Sequence, residues 1–146
     1  MFKIALLTTL VLSGVTGAPV HTPANSVAPA GQNSTNAIAI SKRVTHVGRA
    51  TYFYPGLGNC GYWDNDNVPI LAVSTAMYKQ GGNCNQWVEV VNTANGKKVY
   101  AKMRDSCPSC EYDDIDLSPI AFKALAPLSQ GVFTASWHFM NPSWSP

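Results

Sequence analysis

The sequence has few charged residues and no run of basic ones. Lys, Arg, Asp and Glu make up 12% of its 146 residues, and the formal net charge is +2. The Lys and Arg residues are scattered, whereas proteins that bind nucleic acid present a basic stripe or patch. This composition argues against a nucleic-acid partner and favours a partner that is neutral or weakly charged.

Long apolar runs are lacking after residue 12, and crossing a membrane as a helix takes about 20 apolar residues. At the start of the chain, Lys3 precedes an apolar stretch from Ile4 to Leu12, and small residues follow as far as Ala18. This is the pattern of a secretory signal peptide. We therefore predict a signal peptide over residues 1–18 and a protein that is secreted, extracellular and not attached to a membrane.

Charge is also absent from residues 19–41, which are rich in Ala, Pro, Ser, Thr and Asn. Such a composition buries too little apolar surface to offset the entropy cost of ordering the chain. We predict a disordered tail over residues 19–43, with a glycosylation acceptor at Asn33 and the dibasic pair Lys42-Arg43 at its end. Residues 44–141 then form one domain of about 95 residues, a normal size for a single core.

Alternating and aromatic-rich segments predict several short strands in this domain. The predicted strands are Arg49–Tyr54, Trp87–Val91, Lys98–Arg104 and Val132–Phe139. Asn95-Gly96 is a strong signal for a hairpin turn between the second and the third. Short strands separated by turns favour a compact β barrel.

One short helix is predicted over residues 118–125. Ser118 suits its N-cap and Pro119 its first helical position, and Ile120, Ala124 and Leu125 share one side of it. A second helical turn is predicted at Thr75–Tyr78.

Cysteine is scarce, with four residues at Cys60, Cys84, Cys107 and Cys110. In a small secreted protein this number predicts two disulfides. Neither Cys60 nor Cys84 has a second ligand at zinc-site spacing, and Pro108 with the acidic residues places Cys107 and Cys110 in a loop, not at the helix start that a redox site needs. We favour a local Cys107–Cys110 disulfide, which leaves Cys60 to pair with Cys84.

Six short motifs occur in the order found in rare lipoprotein A-like double-psi β-barrels, and the chain resembles that family over most of residues 45–140. The motifs are GRATYFY at 48–54, GNCG at 58–61, AVS at 72–74, GNC at 82–84, RDSCPSC at 104–110 and DIDLS at 114–118. Within that family the chain looks like the expansin-like and loosenin-like small secreted fungal proteins of the barwin-like superfamily. The resemblance implies an all-β, six-stranded double-psi β-barrel with one or two short helices.

The same resemblance implies a polysaccharide groove lined by Thr51, Asp105 and Asp116. Related family-45 endoglucanases keep a carboxylate base on the first strand, where this chain has Pro55. An inverting glycosidase needs such a base opposite its acid, so we expect no hydrolysis. The alternative role of Asp105 and Asp116 is to accept hydrogen bonds from backbone donors in a tight loop.

Exposed aromatic rings near such a groove would stack on the apolar faces of sugars. The candidates are Tyr52, Tyr54, Tyr62, Trp63 and Tyr112. We predict that Trp87, Trp137 and Phe139 pack in the core instead, because they lie in alternating strands. Glu111, Asp113 and Asp114 are predicted to form a solvated acidic rim.

Together these features predict a monomeric, secreted, expansin-like protein that binds cell-wall polysaccharide, such as cellulose or chitin, and loosens it without hydrolysis. No metal or other cofactor is expected. The alternative is a secreted protein-binding module on the same barrel, either a protease inhibitor or an effector, because a fold does not determine a function.

Overall fold

The computed structural model describes residues 43–146, in which strands predominate. The strands are β1 His46–Tyr52, β2 Ile70–Ser74, β3 Trp87–Asn92, β4 Lys98–Cys107, β5 Ile115–Leu117 and β6 Phe133–Phe139. Two short helices, α1 Thr75–Tyr78 and α2 Pro119–Leu125, and a 3₁₀ turn at Leu128–Gln130 complete the secondary structure of these residues. The predicted signal peptide and all of the predicted tail except Arg43 lie outside the described residues.

The six strands close into a barrel in the order β1-β5-β2-β4-β3-β6. The pairs β1–β5 and β2–β4 are parallel, and the other neighbouring pairs are antiparallel. Parallel neighbours cannot be joined by a tight hairpin and need a crossover connection. This arrangement confirms the predicted six-stranded double-psi β-barrel with two short helices.

Two strands of the barrel, β2 and β5, escaped the sequence prediction. All five residues of β2 are buried, so its sequence ILAVS shows no alternation of apolar and polar residues. Strand β5 has only three residues, which is too short for a periodic signal. Each strand is paired on both sides, β2 with β5 and β4 and β5 with β1 and β2, and these neighbours define its position.

The barrel interior is filled by apolar side chains from every strand and from α2. The largest fully buried members are Trp137, Phe122, Leu71, Met103, Ile115, Leu117 and Leu125. Trp137 is therefore in the core as predicted, whereas Phe139 only packs against it. Trp87 differs from the prediction: it is half-buried and pairs with Lys102 across β3 and β4, on the outer side of the alternating strand.

Helix α2 has its predicted bounds, but the residues predicted to share one side of it differ in burial, since Ala124 is exposed and Leu125 is buried. Phe122 and Leu125 are buried with Pro119 and Ala121, whereas Ile120 is 41% exposed. Ser118 occupies the N-cap position without capping through its side chain. Its hydroxyl instead donates to the Val68 carbonyl (2.7 Å) and accepts from the Ile70 amide (3.2 Å).

The ordered chain continues past the predicted boundary at residue 141. Trp144 lies with its ring centre 4.6 Å from that of Tyr100. In residues 43–146 there is no helix of the length and apolar character needed to span a bilayer.

Candidate functional site

Four residues form a row across the outer face of neighbouring strands β1, β5, β2 and β4. Thr51 is paired with Asp116, Asp116 with Ala72, and Ala72 with Asp105. Residues paired directly across a sheet point to the same side, and the flanking residues Ala50 and Leu117 are buried in the core. Strand pairing thus brings together all three predicted groove residues.

The two carboxylates of this polar row (Thr51, Asp116, Ala72 and Asp105) are two strands apart, which places their Cα atoms about 10 Å from each other. A bulge between Leu71 and Ala72 shifts the register of β2 against β4. Because of this shift, Asp105 follows a core-facing Met103 by two residues and still pairs with the outward-facing Ala72.

Asp116 lies half-buried at the centre of the row. Its Oδ1 accepts a 2.8 Å hydrogen bond from the Thr51 hydroxyl. Burial raises the pKa of Asp116 above its ordinary value of 3.8, and the hydrogen bonds from Thr51 and the Leu117 backbone only partly offset this effect. A carboxyl group with a raised pKa in a groove can donate a proton or a hydrogen bond to a ligand oxygen.

Asp105 has a different environment at the edge of the row. Its Oδ1 accepts hydrogen bonds from two backbone amides, that of Asn59 at 3.0 Å and that of Ser106 at 2.7 Å. Asn59 also donates to the Ser106 hydroxyl at 2.6 Å. These contacts match the alternative role for Asp105, because the carboxylate fastens the loop after β1 to strand β4.

That loop is a small hairpin with apolar side chains exposed. Leu57 and Trp63 form an antiparallel bridge, and the Gly58 amide donates to the Tyr62 carbonyl at 2.9 Å. Tyr54, Leu57, Tyr62 and Trp63 are 69%, 59%, 47% and 79% exposed. We call residues 54–64 the aromatic hairpin.

Several contacts hold the aromatic hairpin against β4. Cys60 is bonded to Cys84, and the Cys60 amide donates to the Arg104 carbonyl at 3.0 Å. A Cβ atom at Gly58 would lie 2.5 Å from that same carbonyl oxygen, so only glycine permits this close approach. The hairpin therefore meets the polar row at its Asp105 end.

Arg104 contacts the aromatic hairpin through its guanidinium group. Its guanidinium lies 3.9 Å from the centre of the Tyr62 ring, and its Nη1 donates to Asn85 Oδ1 at 2.6 Å. Its Nε is 3.8 Å from Asp64 Oδ2, and both atoms are buried. A guanidinium group this close to an aromatic ring makes a cation–π contact, and this contact restricts the orientation of the Tyr62 ring.

Two of the predicted groove aromatics lie elsewhere. Tyr52 is on the opposite side of β1 from Thr51, and its ring packs against Phe122 at 5.2 Å. Tyr112 is 44% exposed and its hydroxyl accepts from Gln80 Nε2 at 2.9 Å. Of the predicted groove aromatics, only Tyr54, Tyr62 and Trp63 therefore lie in the hairpin that contacts Asp105.

The acidic segment before β5 is only partly a solvated rim. Asp114 is 6% exposed and accepts hydrogen bonds from the Arg49 backbone amide (2.7 Å), Nε (3.0 Å) and Nη2 (2.9 Å). Burial by itself would raise the pKa of Asp114, but the hydrogen bonds from Arg49 and the Glu111 amide hold it below its usual value. The prediction for Asp114 was wrong, because tertiary contact with β1 buries this carboxylate.

Asp113 differs from Asp114 because it stays half-exposed. It accepts a 2.7 Å hydrogen bond from His46, whose ring stacks on Trp137 at 4.3 Å. His46 is therefore held both by Asp113 and by Trp137 on the neighbouring strand β6.

The four cysteines are bonded as the sequence predicted, Cys60 with Cys84 and Cys107 with Cys110. Cys107 closes β4 and Cys110 lies in the following turn, not at the start of a helix. Among residues 43–146 no three His, Cys, Asp or Glu side chains are grouped so that they could hold a metal ion. The two disulfides therefore have a structural role. One joins the aromatic hairpin to the segment before β3, and the other closes the turn after β4.

Sequence reasoning missed three residues that shape this site. Leu57 extends the exposed apolar surface, and Asn59 links the hairpin to Asp105. Arg104 carries the Tyr62 ring. Of these, Arg104 had a signal in the sequence, because it is the outward-facing position of β4 immediately before Asp105 in the most specific motif.

Comparison with known proteins gives a consistent set of relatives. No protein-family model matches the chain. A papain inhibitor from Streptomyces mobaraensis is 34% identical over 111 residues, which cover 71% of this chain and 76% of the inhibitor. The structure of the Streptomyces papain inhibitor superposes with a TM-score of 0.60 at 33% identity and covers 67% of this chain and 96% of that one.

Expansins form the second group of relatives. Expansin-like protein 5 from Dictyostelium discoideum is 36% identical over 104 residues, which cover 63% of this chain but 43% of that protein. The structure of a Clavibacter michiganensis expansin in complex with cellohexaose has a TM-score of 0.62 at 27% identity, covering 70% of this chain and 54% of that one. The chain thus spans about half or less of these expansins. From its barrel and these relatives, the chain belongs to the rare lipoprotein A-like, barwin-like family of double-psi β-barrels, which includes the expansin-like proteins and the papain inhibitor.

Proposed function

We propose that this protein is secreted and binds a neutral cell-wall polysaccharide along the polar row, loosening the wall without hydrolysing it. The observation that carries the proposal is the polar row itself, with exposed aromatic rings at its Asp105 end. A glycan chain needs both elements, since its hydroxyls take up hydrogen bonds and its C–H faces stack on rings. The complex of the related expansin with cellohexaose supports this choice of ligand.

The chemistry of the row favours binding over hydrolysis. Burial raises the pKa of Asp116, but Asp105 lies on the same outer face and its Oδ1 is engaged by two backbone amides, so no free base faces Asp116 among these residues. Pro55 offers neither a proton acceptor nor a charge. Without a base to activate water, hydrolysis loses a contribution of about 10²–10⁴-fold.

Binding is tested with cellohexaose in solution and by pull-down with insoluble cellulose, chitin and peptidoglycan. Asp116→Asn and Trp63→Ala are expected to weaken binding by about five- to tenfold each, because a charge-assisted hydrogen bond or a stacked ring is lost. Val132→Ala, at a position that is also exposed, serves as the control and should bind as the wild type does. Unchanged binding in both site variants would contradict the proposal.

Hydrolysis is tested on the same glycans by measuring reducing ends over a long incubation. The expected signal equals that of heat-inactivated protein, while filter paper weakens or fibres disperse. A release of reducing ends that disappears in Asp116→Asn or Asp105→Asn would show that the site is a glycosidase.

A second function, inhibition of a cysteine protease, is favoured by one specific observation. The papain inhibitor matches this chain over most of its own length, and the aromatic hairpin is an exposed apolar loop tied by a disulfide. A rigid loop binds a cleft at a small entropy cost. Titration of papain activity with the wild type and with Leu57→Ala would decide between the functions, since glycan binding does not predict any loss of papain activity.

A further inference from the structure

A second aromatic surface lies on the outer face of β3 and β4, and β4 also carries Asp105 of the polar row further along the strand. Along β4 the outward positions are Lys98, Tyr100 and Lys102, and Trp87 on β3 is paired with Lys102. Trp144 adds a third ring, with its centre 4.6 Å from that of Tyr100 and 6.4 Å from that of Trp87. We call these five residues the aromatic–lysine face.

Both lysines of this face lie against aromatic rings. Lys98 Nζ is 5.8 Å from the centre of the Tyr100 ring, and Lys102 Nζ is 5.0 Å from that of Trp87. These distances are within the range of cation–π contacts. The side chains are thereby oriented, while that of Lys98 remains 59% exposed.

The charge of this region is positive. Glu89 is the one acidic residue among β3, β6 and positions 98–104 of β4. Its Oε2 accepts from the Tyr100 hydroxyl at 2.6 Å and lies 3.6 Å from Lys98 Nζ, so it is already engaged. Arg43 adds a further cation where its Nη1 meets His138 at 3.2 Å on the neighbouring strand β6.

The C-terminal turn holds its ring in place on this face. The Trp144 amide donates to the Asn141 carbonyl at 2.8 Å, and Asn141 Oδ1 accepts from the Ser143 amide and hydroxyl at 3.0 and 2.8 Å. The indole of Trp144 is therefore attached to an ordered turn. It lies across the two rings that the lysines flank.

We propose that the aromatic–lysine face binds an acidic polysaccharide, whose sugar rings stack on the aromatic side chains and whose carboxylates pair with Lys98 and Lys102. Because a strand rises about 3.3 Å per residue, the two lysines are about 13 Å apart along β4. This spacing suits a polymer that presents carboxylates repeatedly. A small anion would use one lysine and none of the rings.

The test measures binding of polygalacturonate, in which each sugar carries a carboxylate, and of its fully methyl-esterified form. Lys98→Gln combined with Lys102→Gln should weaken binding of the acidic form by about tenfold, from the loss of two exposed charge contacts. Trp144→Ala, which keeps both lysines, should weaken it by about two- to tenfold through the lost ring contact. The esterified polymer carries no carboxylates, so the wild type should bind it weakly. Its affinity should not exceed that of the double lysine variant for the acidic polymer.

The matched control combines Lys79→Gln with Lys123→Gln, which removes the same charge from two exposed positions outside the face. It should bind polygalacturonate as the wild type does, and Asp116→Asn should do so too, because the polar row is a separate surface. The proposal is overturned if the control variant weakens binding equally, or if the esterified polymer binds as tightly as the acidic one. Tighter, lysine-dependent binding of a thymidine oligonucleotide would overturn it in favour of a nucleic-acid surface.

Discussion

At the scale of single residues, two carboxylates two positions apart on the chain have opposite environments. Burial raises the pKa of Asp116, whereas Arg49 and backbone amides hold the pKa of Asp114 below its usual value. Both side chains leave the same short segment at β5, one towards the outer face and one against β1. The opposite pKa shifts of the two carboxylates arise from their different surroundings in the folded protein.

Replacing Asp116 by Asn should stabilise the protein at neutral pH. A folded-state pKa above 3.8 means that the ionised form is disfavoured in the folded protein, so stability falls as pH rises through that pKa. Asn lacks this cost and still accepts the bond from Thr51. We expect a higher melting temperature than wild type at pH 7, with the difference vanishing by about pH 3.5; a difference that stays the same at pH 3.5 would show that the ionised carboxylate is not its cause.

Replacing Asp114 by Asn should have the opposite effect. Its lowered pKa contributes stability above 3.8 that is lost as pH falls towards the folded-state value. Since Arg49 is 62% exposed, most of the loss comes from hydrogen bonds to the buried carboxylate, worth about 2 kcal/mol. Urea unfolding at pH 7 and at pH 2.5 measures this; an equal loss at both values would show that charge is not the cause.

At the scale of elements, covalent ties keep the exposed hairpin in one place. The Cys60–Cys84 bond spans 24 positions of sequence, and the Cys107–Cys110 bond spans three. The longer bond joins the aromatic hairpin to the segment before β3. It therefore bears on the binding surface as well as on stability.

The two disulfides should contribute unequally. Removing the longer one with Cys60→Ser and Cys84→Ser should lower the free energy of unfolding by about 3 kcal/mol, against about 2 kcal/mol for the short one, because loop-closure entropy grows with loop length. The first variant should also weaken glycan binding, since only hydrogen bonds and the Arg104 contact then hold the aromatic hairpin in position. Chemical unfolding and cellohexaose titration test both expectations, and a larger loss from the short bond would refute the first.

At the scale of the whole molecule, carboxylates and lysines occupy different positions on the outer face of the barrel. The carboxylates of Asp105 and Asp116 lie in the polar row, whereas Lys98 and Lys102 lie on the outer face of β3 and β4. The formal net charge of +2 does not reveal this distribution of charged side chains. A near-neutral chain can therefore hold one surface for neutral glycan and another for anionic glycan.

Salt should separate the two surfaces. Raising salt from about 0.1 M to about 1 M shortens the Debye length from about 10 Å to about 3 Å. Binding of cellohexaose, which relies on stacking and hydrogen bonds, should change less than about twofold, whereas binding of polygalacturonate should fall by about tenfold or more. Calorimetric titration at both concentrations provides the comparison, and an equal salt dependence would refute the separation into two surfaces.

Several features could be predicted from the residues alone because their causes are local. Helix α2 follows from Ser118-Pro119, the β3–β4 hairpin from Asn95-Gly96, and the disulfide pairing from cysteine spacing. The groove residues Thr51, Asp105 and Asp116 were instead implied by the family resemblance that the ordered motifs carry.

Other features required the tertiary structure because they arise from contacts between distant segments. Strand β2 is buried on every side and β5 is three residues long, so neither has a periodic pattern of its own. Asp114 is buried against Arg49, 65 positions away, and Trp87 faces outward because Val88 and Val90 take the core positions of β3. The sequence by itself determined a compact β barrel, and its resemblance to a known family implied Thr51, Asp105 and Asp116; only the tertiary structure decided that Ala72 completes their row and which rings are exposed, since burial and register depend on strand neighbours.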